Sequence, residues 1–88
     1  MAKLECFAIP GIELWFFSHD HLPAHFHAKR WGQWEVRVFF LEGAIKMFEV
    51  VWLRGREIPR ADIRLLEENV TANRAELLDE WERKVLPQ

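Results

Sequence analysis

The chain has 88 residues and a formal net charge of −2; half of its residues are hydrophobic and 14% are aromatic. A single domain of this size buries roughly 60–65% of the surface its unfolded form exposes, and so apolar a composition excludes a disordered chain. The near balance of charge argues against a general nucleic-acid binder, whose footprint is a clear basic excess, and leaves room only for local basic patches.

The opening MAKLECFAIPG lacks the apolar core and small-residue cleavage site of a signal peptide. No apolar run approaches the roughly 18 residues that cross a membrane. One cysteine, Cys6, forms no internal disulfide, which fits a reducing compartment. These features predict a soluble cytoplasmic protein with no membrane partner. Five tryptophans are enough to leave large side chains over for a partner surface, on another protein or on a second copy.

The first two-thirds of the chain read as strands. LECFAI (4–9) is apolar, Pro10-Gly11 marks a turn, and IELWFF (12–17) resumes with residues suited to a pleated surface, so a first hairpin is expected. SHDHLPA (18–24) is a loop, stiffened by Pro23. HFHAKR (25–30) then alternates: His25, His27 and Lys29 share one face, and Phe26, Ala28 and Arg30 share the other. Gly32 breaks the run. EVRVFF (35–40) alternates again, with Val36, Val38 and Phe40 on one face. After Glu42-Gly43, AIKMFEVVWL (44–53) is predicted as the longest strand.

Beyond Pro59 the period changes. Ile63, Leu66, Val70, Leu77, Trp81 and Val85 recur at helical spacing, with Asn73 at the gap and Leu65 and Leu78 widening the stripe. One long helix follows, or two if the chain breaks near Thr71–Asn73. Acid-before-base pairs at i,i+4, Asp79/Arg83 and Glu80/Lys84, support it. Residues 1–54 are therefore mostly strands around a histidine loop, and 59–86 are helical. The whole is one α+β domain: a curved antiparallel sheet of four to five strands with the helix across one face.

The chemistry concentrates in SHDHLPAHFHA. All four histidines, His19, His21, His25 and His27, fall within nine consecutive positions. Alternate strand residues have Cα atoms about 6.5–7 Å apart, close enough for two imidazoles to share one ion. His25 and His27 form such a pair. His21 supplies a third ligand, with His19, Asp20 or Glu35 as further options. Three protein ligands leave a position open for water or substrate, which suits hydrolysis. The same pair without a metal could act as general acid and base, with Lys29, Arg30 or Arg37 holding a phosphate. A third reading is structural, the rings capping one sheet face.

Arg54, Arg56, Arg60 and Arg64 cluster where the last strand hands over to the helix. Arg54, Arg56 and Arg60 are the candidate anion-binding set, the alternative being a solvated turn neutralised by Glu57 and Asp62. Trp31 and Trp34 are expected at the core or the sheet rim, Trp52 and Trp81 in the core, and Cys6 as an inert thiol.

His21, Pro23, His25, Phe26, His27 and Ala28 match an H-x-P-P-H-F-H-A signature, with Ala24 in place of the second proline. With it, the sequence resembles the prokaryotic domain-of-unknown-function family numbered forty-one sixty. Gly55, Ile58 and Pro59, then Glu76, Leu77 and Trp81, match that family's later pattern. The resemblance supports the fold and the choice of His21, His25 and His27, and implies no established activity. Its members are often encoded beside another small domain, which implies a two-gene, toxin–antitoxin-like module.

Two functions are carried forward. One is a small domain that binds zinc or another divalent transition metal through His21, His25 and His27, with hydrolysis as its chemistry if the site is catalytic. The other is a metal-free interaction module whose partner is encoded nearby.

Overall fold

The protein is described here by a computed structural model covering residues 1–85. Five strands and one helix follow in order: β1 (Ala2–Lys3), β2 (Glu13–Phe16), β3 (Phe26–Arg30), β4 (Trp34–Val38), β5 (Phe48–Leu53) and α1 (Arg60–Lys84). The strands form one open antiparallel sheet in sequence order, β1-β2-β3-β4-β5. The α+β architecture is the one the sequence predicts. Leu86, the last residue of the predicted helical region, lies outside the described residues. Among the described residues no helix is long and apolar enough to cross a membrane.

The core lies between α1 and one sheet face. The alternation of β3 and β4 brings Phe26, Ala28, Trp34, Val36 and Val38 to that face, all fully buried. Leu66, Val70, Leu77 and Trp81 meet them from the helix, and the rings of Phe16 and Trp81 pack edge to face at 6.0 Å.

Two buried carboxylates on α1 fasten it, one to the sheet and one to the N-terminal segment, and neither belongs to the apolar stripe. Asp62 accepts from Arg30 at both oxygens, from Nη2 at 2.8 Å and from Nε at 3.1 Å, and also from Trp34 Nε1 at 3.1 Å. Glu80, at the other end, accepts the backbone N–H groups of Glu5 at 2.8 Å and Cys6 at 3.1 Å, and the Lys84 ammonium at 2.6 Å. Gly11 makes room for this framework. Its φ is 82°, and a Cβ there would lie 2.7 Å from Arg30 Nη1.

The N-terminal hairpin differs from expectation. LECFAI is not a strand: only Ala2 and Lys3 pair with β2, and Ile9 and Ile12 make an isolated bridge. The reason is Glu80. Its carboxylate satisfies the amides of Glu5 and Cys6 that a strand would have given to a neighbour. AIKMFEVVWL is also shortened, since β5 begins at Phe48 and residues 44–47 form a turn closed by Lys46 N–H on the Gly43 carbonyl at 3.1 Å. Trp52 is exposed rather than core, because β5 is an edge strand and Trp52 pairs with Glu35 on the face away from α1. Trp34 is core, whereas Trp31 is exposed, with the Lys29 ammonium over its ring.

The helix is single but kinked. Asn73 has φ −129° and ψ 20°, and its side-chain amide donates to the Asn69 carbonyl at 2.8 Å, the acceptor its own backbone would use.

Asp62→Ala should lower stability by about 3 kcal/mol, because it leaves Arg30 and the buried Trp34 N–H without an acceptor; urea denaturation measures this. Burial alone would raise the Glu80 carboxyl, but hydrogen bonds from Lys84 and from the amides of Glu5 and Cys6 outweigh it and hold the carboxyl below the usual range. A depressed carboxyl stabilises fully above its unfolded value, and that stability is lost as pH falls through the folded one. Acid titration of stability should therefore be shallower in Glu80→Gln than in the wild type.

Candidate metal centre

The site grows from a turn after β2. Asp20 N–H donates to the Phe17 carbonyl at 3.1 Å, and the Asp20 carboxylate accepts Phe17 N–H at 2.9 Å. This reciprocal pair fixes the carboxylate towards the His25 and His27 rings. The chain continues through a cis Leu22–Pro23 bond and buried Ala24 into β3.

His25 Nδ1 lies 2.8 Å from the Pro23 carbonyl. A carbonyl only accepts, so Nδ1 carries the proton, and in the neutral ring Nε2 is bare. That Nε2 faces Asp20 Oδ1 at 3.5 Å. His27 Nε2 lies 3.1 Å and 3.0 Å from the two Asp20 oxygens. One ligand atom from each of Asp20, His25 and His27 lies within 4.8 Å of the others.

Aromatic rings enclose the cluster. His27 stacks on Trp15 at 5.4 Å, with Phe17 edge-on at 4.7 Å. His25 lies 5.1 Å from Phe39 and 5.7 Å from Trp81. The side chains of Asp20, His25 and His27 are only 11%, 7% and 5% exposed. His27 Nδ1 is buried without a partner among the described residues.

Burial pushes the His27 imidazole below its usual range. Asp20 pulls it back, while His25 and Arg37 add to the lowering. The neutral ring, the form that can ligate a metal, is therefore favoured. His25 meanwhile turns its Nε2 to a carboxylate oxygen of Asp20 at 3.5 Å. Either a proton on that nitrogen or a cation between the two atoms satisfies the contact.

The structure brings His25 and His27 together, as their alternation predicts, but does not bring His21 to them. His21 and His19 are exposed, and His21 is not in the ligand group; Asp20 takes the third place. Glu35 is engaged elsewhere, 3.9 Å from Lys29. The signal for Asp20 was a Phe-x-x-Asp turn, in which an aspartate can cap the end of its own strand. Arg54, Arg56 and Arg60 are exposed in and beside the β5–α1 loop, and Asp62 turns to Arg30 instead of neutralising them.

Cys6 is a poor nucleophile. Burial, and then the Glu80 charge, push its thiol up to about 12.

Fold and site together define a small α+β domain with a buried Asp–His–His cluster where the 17–25 loop returns to β3. The family model described as Domain of unknown function (DUF4160) matches residues 11–82, and the chain belongs to that family. No curated protein and no solved structure matches it significantly.

The His27 ring should titrate below 6.5, and Asp20→Asn should lower its midpoint further by removing the carboxylate that opposes burial. Histidine carbon shifts in an NMR pH titration measure both; a rise on substitution would contradict the assignment.

Proposed function

We propose that this protein binds one divalent transition-metal ion, zinc first, through the carboxylate of Asp20 and the Nε2 atoms of His25 and His27. The observation that carries the reading is the convergence of Asp20, His25 and His27, one ligand atom of each within 4.8 Å of the others, with His25 Nδ1 anchored on the Pro23 carbonyl. Metal-ligating histidines commonly donate their other N–H to such a carbonyl, which fixes ring and tautomer.

The spacing supports it. Zinc bonds of about 2.0–2.1 Å in a tetrahedron set ligand atoms roughly 3.3 Å apart. The Asp20 oxygens lie 3.0 Å and 3.5 Å from His27 Nε2 and His25 Nε2. Two imidazoles and one carboxylate also accept iron, nickel or copper.

Three protein ligands leave a fourth position for water, whose pKa zinc lowers to about 7. Hydrolysis would use that water. The enclosure supports retention of the ion more than turnover of a bulky substrate, since all three side chains are nearly buried. An ion here would also staple the 17–25 loop to β3. A ligand at a thousand times its Kd stabilises a fold by about 4 kcal/mol.

Protein made without a histidine tag should take up about one zinc per chain, read by elemental analysis and by a rise in Tm. Asp20→Ala, His25→Ala and His27→Ala should each weaken binding at least tenfold, while His21→Ala leaves it unchanged. Absence of zinc uptake, or dependence on His21, would overturn the assignment.

A further inference from the structure

The sheet ends unevenly. Its β1 edge is two residues long, whereas its β5 edge runs six, Phe48–Leu53. Sequence FEVVWL carries a single charge, Glu49, which is already engaged by Arg37 across the strand pair. Val50, Val51 and Trp52 are 49%, 41% and 37% exposed. Val50 pairs with Val36 on the helix side, yet α1 leaves it uncovered; Trp52 pairs with Glu35 on the opposite side. Apolar side chains are thus open on both faces of the strand. A long apolar edge with unpaired backbone groups is an aggregation template unless something covers it.

The far end of this edge is basic. β5 runs into Arg54, Arg56 and Arg60, all exposed, with Glu57 the one carboxylate between Arg54 and Arg60. None of these three arginines forms an ion pair among the described residues. Beside them opens a cleft of about 420 Å³, lined by Gln33, Leu53, Arg54, Gly55, Glu57 and Pro59 among others.

We infer that β5 is a docking edge for an extended segment of a partner protein, apolar along its length and acidic at the end that reaches Arg54, Arg56 and Arg60. Strand addition supplies backbone hydrogen bonds from any sequence, and side chains and charge then select the partner. A second copy fits poorly. An antiparallel copy would bring residues 42–47 to the arginines, where Glu42 and Lys46 cancel. A parallel copy would bring arginine to arginine. The bulge at Glu35/Val36 also breaks the alternation that a symmetric self-pair needs.

Selection from a phage-displayed random peptide library on the whole chain tests this. Enriched peptides should be apolar for about five residues, with Asp or Glu clustered at one end. They should bind at least tenfold more weakly to Arg54→Glu/Arg56→Glu and to Val51→Asp, weaken with salt, and protect the amides of 48–53 from hydrogen exchange. Enriched peptides without the acidic end, no enrichment at all, or protection elsewhere would overturn the inference. So would a concentration-dependent dimer that itself protects 48–53, or tighter binding of a single-stranded RNA oligonucleotide at the same amides. Retained zinc uptake in these variants would keep the result separate from the metal assignment.

Discussion

The carboxylate of Asp62 sets the geometry from which the rest follows. It holds the first turn of α1 against β3 through Arg30 and against β4 through Trp34. With Arg30 drawn towards the helix, Phe26 and Ala28 must face it too, because side chains alternate along a strand. His27 and Lys29 are then sent to the other side. The placement of the histidine chemistry is therefore a consequence of which side the helix occupies, and one buried acid fixes that side. Such a pair is weak evidence for added stability over an apolar alternative, but its loss strands the buried Trp34 N–H and the half-buried Arg30 guanidinium.

The two sheet faces divide the labour. The inner face is core, filled by large apolar side chains, with the Trp34 indole N–H and Arg30 satisfied by Asp62. The outer face carries a row of paired positions from Trp15 through His27 and Arg37 to Glu49. At its Trp15 and His27 end the 17–25 loop folds over it, bringing Asp20 to His27. There Asp20, His25 and His27 lose water without gaining a full set of protein partners. That shortfall makes the corner chemically distinct from the rest of the surface.

Much of this was legible in the sequence. The change from a period of two to helical spacing after Pro59 gave sheet and helix, and the alternation of residues 25–30 gave the convergence of His25 and His27. What periodicity could not see was polar. Glu80 looked like half of an exposed ion pair, yet it is buried and takes two amides from a segment 74 and 75 positions away. No local pattern encodes that contact, so LECFAI read as a strand. Asp20 was harder to rank than His21, because its role depends on a turn that reverses the chain onto itself. Trp52 matched an apolar stripe, but burial depends on whether a neighbour covers that face, and Trp52 lies on the face away from the helix.

Cys6 bears on how the chain's surroundings can be read. With its thiol pushed up to about 12, only on the order of one molecule in a hundred thousand carries the reactive thiolate at neutral pH. Such a group is slow to cross-link or to be oxidised wherever the chain resides. Its presence as a lone free cysteine is therefore compatible with oxidising and reducing conditions alike. Burial produces most of this rise and the Glu80 charge adds to it, so the docking of the N-terminal segment on α1 also sets the state of its thiol.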